Sequence, residues 1–118
     1  MENRVKIVLI GAGSREFSRS VVHDLVRQLH ESRGLDVHLV DIDRAGLELM
    51  HGYAERCAET AGARVSFHAT TERERALEGA DFVLVAVAVK RMELWEQDFR
   101  VPLAFGAPHV YGENGGPG

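Results

Sequence analysis

Val5-Lys6-Ile7-Val8-Leu9-Ile10-Gly11-Ala12-Gly13-Ser14-Arg15-Glu16-Phe17 is the stretch on which the fold turns. Its first six residues form a short, β-branched, apolar run closed by glycine, the pattern of a buried strand. From Phe17 the pattern changes. Val21, Val22, Leu25, Val26 and Leu29 recur at spacings of three and four, which predicts an amphipathic helix, and Gly34 ends it. A strand therefore passes through a glycine turn directly into a helix. Gly11 lets the chain turn sharply, and Gly13 leaves the backbone uncovered. The amides that open the helix then face whatever lies over the turn, and the helix dipole favours an anion there.

Outward from this turn the same alternation continues. Val37–Val40 reads as a second strand, ending at Asp41-Ile42-Asp43, and Asp43 is placed to cap the next helix. That helix turns Leu47, Met50, Tyr53, Ala54 and Cys57 inward and stops at Gly62. Val65–Phe67 predicts a third strand, and Glu72–Leu77 a short helix stopped by Gly79. Ala80–Val89 is a strongly apolar fourth strand. Met92–Arg100 is helical, with Trp95 and Phe99 packing inward from one face, and Pro102 is expected to open a further turn. No internal repeat or low-complexity linker interrupts the chain. The order predicts an α/β fold: a Rossmann-type parallel sheet with helices on both faces and strand order 3-2-1-4.

In such a sheet the glycine turn receives a dinucleotide pyrophosphate, and an acid ending the second strand receives the ribose. Asp41 stands there, 30 residues beyond Gly11. A carboxylate accepts from both ribose hydroxyls and repels a 2′-phosphate, which favours NAD over NADP; Arg44 nearby pulls the other way. Gly11, Gly13, Ser14, Phe17 and Asp41 are the candidate cofactor residues, with Ala86 near the end of the fourth strand and Glu113 in the closing segment. The third glycine of the usual fingerprint is replaced by Glu16. Lys90 and Arg91 follow the fourth strand at its carboxyl end, where open α/β sheets bind ligands. They and Asn114 are the candidate substrate contacts. The segment Tyr111–Gly118 contains four glycines, with Glu113 and Asn114 as its hydrogen-bonding groups.

The chain has 118 residues, 45% hydrophobic and 27% charged, with 14 Lys and Arg against 18 Asp and Glu. That is the composition of one ordinary globular domain, and its mild acidity without a basic block argues against a nucleic-acid partner. The single cysteine, Cys57, permits no internal disulfide, so a reducing, cytoplasmic setting is expected. No leader or membrane-spanning run is evident. His23, His30, His38, His51 and His68 share no spacing along the chain. They read as surface or structural residues rather than metal ligands. The close at Gly115-Gly116-Pro117-Gly118 reads as a cut inside a longer protein, so residues 1–118 are expected to be an incomplete domain.

Taken in order, these pieces resemble a known family. They are Gly11-Ala12-Gly13-Ser14 with Phe17, then Asp41-Ile42-Asp43, then Ala76-Leu77-x-Gly79-Ala80-Asp81-Phe82-Val83. Trp95-x-x-Asp98, Val101-Pro102-x-x-x-Gly106 and Gly112-Glu113-Asn114-Gly115-Gly116-Pro117-Gly118 follow. From about Lys6 onward the chain looks like the amino-terminal portion of glycoside hydrolase family four. The run from Ala76 to Val83 is shared with malate and lactate dehydrogenase relatives. The glycine loop with Ser14 and the closing glycine-rich segment discriminate, although the family more often has threonine where this chain has Asn114. The resemblance implies a glycosidase that uses NAD⁺ and a divalent metal, commonly Mn²⁺, and departs from the usual two-carboxylate scheme. Hydride leaves C3 of the sugar, a tyrosine removes the acidified C2 proton, the aglycone is eliminated, water adds and the hydride returns. It also implies a carbohydrate substrate, a homo-oligomer when intact, and a tyrosine base and cysteine and histidine metal ligands well downstream. None of the residues here fills those last roles. No catalytic or metal-ligating residue is therefore expected in this chain, and these 118 residues alone should be inactive. Two readings stand beside this one: an NAD-dependent dehydrogenase of the malate/lactate kind, and a non-enzymatic NAD-sensing module. Lys90-Arg91-Met92-Glu93-Leu94-Trp95 contains no glycine, and the resemblance associates a glycine-rich anion loop there with 6-phosphorylated sugars. A non-phosphorylated glycoside, or a uronide meeting Lys90 or Arg91, is the expected substrate.

Overall fold

A computed structural model describes residues 4–29, 34–88 and 90–108. The backbone divides into two compact units, Met1–Val87 and Ala88–Gly118. The first holds a four-stranded parallel sheet in the order β3-β2-β1-β4, with β1 Val5–Ile10, β2 Leu35–Val40, β3 Val65–Thr70 and β4 Phe82–Val85. This is the predicted Rossmann-type order. β1 pairs with β2 along its whole length, from Val5 opposite Leu35 to Ile10 opposite Val40.

Between β1 and β2 lie α1, Arg15–Asp24, and a π-helical segment, Leu25–Leu29. α2, Arg44–Ala61, joins β2 to β3, and α3, Arg73–Leu77, joins β3 to β4. Asp43 caps α2, its side chain accepting from the Gly46 amide, and Gly62 ends the helix with left-handed backbone (φ 61°). Both signals were legible in the sequence. One face of the sheet carries Ile7, Leu9, Leu35, Val37, Leu39 and Phe67, packed on Val22, Leu25 and Val26 and on Leu47, Met50, Ala54 and Ala58. The opposite face has a much smaller core, Val8, Val40 and Ala76 with Ile10, Leu77 and Ala80 around it.

Several boundaries differ from the predicted ones. β3 runs on to Thr70, because each of its six residues finds a partner on β2. β4 covers only Phe82–Val85, because its partners on β1 run out at Ile10, where Gly11 turns the chain away. The inward places on α1 and α2 go to Ser18 and Val22 and to Leu47, Met50, Ala54 and Ala58, while Tyr53 and Cys57 are half-buried and Phe17 lies at the surface. In the second unit, α4 spans Arg91–Ala104 with Pro102 inside it rather than opening a new turn. With helix already formed before it, Pro102 both lacks an amide to donate one turn back and crowds the carbonyl four residues earlier. Trp95 and Phe99 meet edge-to-face, ring centroids 5.8 Å apart, with Trp95 largely exposed. Among the described residues no helix is long and apolar enough to cross a membrane.

β4 is one of the two outer strands of the sheet, and every one of its residues is exposed, Phe82 at 63% and Val85 at 61%. An apolar parallel strand with an unpaired edge is a template for association. Expressed as these 118 residues, the protein should self-associate, and Leu84→Lys should shift it toward monomer. Light scattering across a concentration series checks this; a wild-type monomer with a sharp thermal transition would overturn it.

Candidate nucleotide site

The glycine loop is held from three directions. The Gly11 and Ala12 amides both donate to the Val40 carbonyl, at 2.8 and 3.0 Å, tying the loop to the end of β2. The Asp41 carboxylate bridges two turns: its Oδ2 accepts from the Gly13 amide at 2.7 Å, and its Oδ1 accepts from the Asp43 amide at 2.9 Å. From beneath, the buried Ser18 hydroxyl donates to the Ala12 carbonyl at 2.7 Å.

The glycines are required by these contacts as well as by any ligand. Gly11 has φ +93°, and a Cβ built on it would lie 2.0 Å from the Ala86 carbonyl oxygen. The end of β4 therefore runs against the loop at a distance that only hydrogen tolerates. A Cβ on Gly13 would lie 2.8 Å from Asp41 Oδ2. Gly13 thus makes room for the carboxylate that fixes it.

α1 starts immediately after this loop. Ser14 is the N-cap residue, but its side chain makes no capping hydrogen bond. The amides of Arg15, Glu16 and Phe17 precede the first intrahelical donor, Ser18, whose amide reaches the Ser14 carbonyl. Three donors and the positive end of a ten-residue helix therefore open beside Gly13, an arrangement suited to a phosphate oxygen. Ser14 and Phe17 are exposed at this helix start, where they can reach a ligand. Each Asp41 oxygen accepts one amide and keeps a second lone-pair direction for a hydroxyl donor.

Gly11, Gly13, Ser14, Phe17, Asp41 and Ala86 are thus gathered at the carboxyl ends of β1, β2 and β4. Lys90 and Arg91 belong to the second unit, where both are exposed at the start of α4. Lys90 has left-handed backbone, φ 44°, unusual for a residue with a Cβ. Glu113 and Asn114 lie outside the described residues. Ser18 was missed by the sequence reading. Its signal was a hydroxyl four residues before Val22, in line with the apolar stripe of α1.

The sheet order and the loop define the class: a Rossmann-type unit with a dinucleotide-shaped glycine turn. The chain belongs to the family 4 glycosyl hydrolases, whose family pattern matches residues 6–118. It is 38% identical to an alpha-glucosidase of Erwinia rhapontici over 96% of this chain and 25% of that one. It is 32% identical to an alpha-galactosidase of Rhizobium meliloti over 92% of this chain and 22% of the relative. Further relatives are alpha-galacturonidases and 6-phospho-glucosidases. The fold matches the 6-phospho-beta glucosidase of Thermotoga maritima, solved with manganese, NAD⁺ and glucose-6-phosphate. The TM-score is 0.73 at 22% identity, over 88% of this chain and 25% of that one. The chain spans about a quarter of the length of the curated relatives it matches.

Two substitutions separate the roles inside the loop. Gly11→Ala should cost on the order of 2–4 kcal/mol, from left-handed strain plus the collision with the Ala86 carbonyl. Ser18→Ala should cost about 1–3 kcal/mol by stranding the Ala12 carbonyl. Urea denaturation checks both; a Gly11→Ala variant as stable as wild type would refute the close approach of β4.

Proposed function

We propose that this chain is the NAD(H)-binding segment of a family 4 glycosidase that acts on a non-phosphorylated glycoside or a uronide. The observation that carries the cofactor reading is the Asp41 carboxylate, held by the Gly13 and Asp43 amides beside the open amides of α1. The loop fits the group. A pyrophosphate resting on Gly13 would meet the amides of residues 15–17, and Ser14 could add a hydroxyl. The ribose hydroxyls would donate to Asp41, whose charge repels a 2′-phosphate. Bound there, NAD⁺ would accept hydride from sugar C3, which acidifies C2–H and opens the elimination route to glycosidic cleavage, with a divalent metal such as Mn²⁺ stabilising the anion.

This chain's own residues contribute binding and orientation. Ser18 and the Val40 carbonyl fix the loop before ligand arrives, so little ordering remains to be done on binding. Gly11 allows β4 to close against the loop, bringing Ala86 beside it. No residue of this chain is given the proton-transfer or metal-ligating role in this reaction. A carbohydrate substrate, a homo-oligomeric assembly and a cytoplasmic location complete this reading.

The substrate reading rests on the start of α4. The sequence there passes directly into helix at Arg91, leaving no glycine nest of amides for a sugar phosphate. Lys90 and Arg91 could still meet a carboxylate. The strained backbone of Lys90 supports a functional role, since left-handed non-glycine residues cluster at such sites. The alpha-glucosidase relative at 38% identity, not named for a phosphorylated sugar, supports the same choice, while the relatives at 32% divide between an alpha-galactosidase and a 6-phospho-beta-glucosidase.

Titration of the full-length protein with both cofactors should show NAD bound more tightly than NADP. Asp41→Ala should weaken NAD binding by about 1–3 kcal/mol. Equal affinities, or no effect of the substitution, would remove Asp41 from the site. With NAD⁺, Mn²⁺ and a reductant supplied, nitrophenyl glucoside, galactoside or galacturonide should be cleaved in preference to the 6-phosphorylated counterparts. Lys90→Gly separates strain from function: it should stabilise the fold by roughly 1 kcal/mol while lowering kcat/KM. A marked preference for phosphorylated sugars would overturn the substrate reading and leave the cofactor reading intact.

A further inference from the structure

The exposed face of β2 and β3 carries a group of side chains that the nucleotide site does not use. Asp36 and His38 alternate on β2, and His68 on β3 stands directly opposite His38 in the parallel register. Period-two alternation puts all three on the same side of the sheet, the side with the smaller core. Ser66 and Thr70 share that side. β2 is an interior strand, and interior strands of parallel sheets are usually apolar on both faces. Here β2 and β3 present two imidazoles near mid-strand and a carboxylate one pleat nearer the amino end, set back from the carboxyl ends where the glycine loop lies.

The three groups already converge. His68 Nε2 lies 2.7 Å from Asp36 Oδ1, and His38 Nε2 lies 3.4 Å from Asp36 Oδ2. The two rings stack with centroids 4.6 Å apart and planes 23° from parallel, so both present Nε2 to the same carboxylate. One donor atom from each residue can be chosen such that all three lie within 4.8 Å of one another. A tetrahedral zinc ion, with Zn–N and Zn–O near 2.0–2.2 Å, requires ligand atoms roughly 3.3 Å apart. The His38–Asp36 separation already has that value. The His68 contact, made to the other oxygen of the same carboxylate, would lengthen by roughly half an ångström, on a side chain that is half exposed.

We propose that Asp36, His38 and His68 form a binding site for a divalent transition metal of the zinc type. Two imidazoles and one carboxylate suit zinc or its neighbours better than calcium or magnesium, which prefer all-oxygen shells. Partial exposure leaves the remaining coordination position to water. The bound ion would clamp β2 to β3. The protonation states fit. Burial, opposed by the hydrogen bond to Asp36 and helped by the Lys6 ammonium, holds His38 below its ordinary pKa, the direction that favours a neutral ring. Burial alone would raise Asp36, but the hydrogen bonds from His68 and His38 outweigh it and keep the carboxylate ionised. Lys6 opposes a cation here, yet its ammonium is bound to the Glu78 carbonyl at 2.6 Å. Arg4, a further cation, donates to the Leu35 carbonyl and to Ser66 Oγ.

The test is zinc titration of the chelator-treated full-length protein, alongside His68→Gln and His38→Gln/His68→Gln variants. Wild type should take up one more zinc equivalent than the double variant, and that equivalent should raise the melting temperature. His68→Gln, which removes an exposed side chain and no core contact, should weaken the extra equivalent at least about tenfold. Circular dichroism of the metal-free proteins checks folding; should the double variant misfold, Asp36→Asn replaces it with the same expected loss. Equal zinc stoichiometry and equal thermal shifts in wild type and folded variants would overturn the proposal.

Discussion

Asp41 holds the nucleotide loop together by a single electrostatic constraint. One carboxylate oxygen accepts from the Gly13 amide and the other from the Asp43 amide, so the turn after β1 and the turn after β2 share one anchor. Charge-assisted hydrogen bonds of this kind are stronger than neutral ones and fix direction as well as distance. Both glycine constraints follow from close approach at this point. A side chain at Gly13 would collide with the carboxylate, and one at Gly11 would collide with the Ala86 carbonyl. The loop is thus glycine-rich because three backbones meet there, and the same crowding leaves the amides of α1 as its open side.

The constraint extends downward through Ser18. Its hydroxyl is fully buried and would be costly there without a partner, but the Ala12 carbonyl accepts from it. A hydroxyl in the apolar stripe of α1 therefore fixes the helix against the loop at a set distance. Preorganisation of this kind lowers the ordering cost of binding, which connects an interior packing detail to the affinity of a surface site.

The two faces of the sheet are built differently. The face under α1 and α2 is a continuous apolar core. The other has a small apolar cluster beneath α3, together with a polar stretch on β2 and β3. A stretch with Asp36, His38, Ser66 and His68 gains little from apolar cover, so its residues are available for charge, hydrogen bonding or metal ligation.

The sequence by itself determined the strand–turn–helix opening, the cap at Asp43, the stop at Gly62, the strand order and the acid at Asp41. All but the strand order rest on local rules: apolar periodicity, capping chemistry and the freedom of glycine, each acting over a few residues; the order rests on the strand–helix alternation along the whole chain. Only the tertiary structure decided the rest. β4 ends at Val85 because β1 offers no partner past Ile10, and β3 extends to Thr70 because β2 offers six. Asp41 bridges two turns, and Ser18 finds Ala12, through contacts that no spacing rule encodes. His38 and His68 share no motif along the chain, yet they stand side by side because β2 and β3 pair in register. The physical reason is common to all of these. Hydrogen-bond partners and close approaches between distant segments exist only once the sheet has brought those segments within a few ångströms of each other.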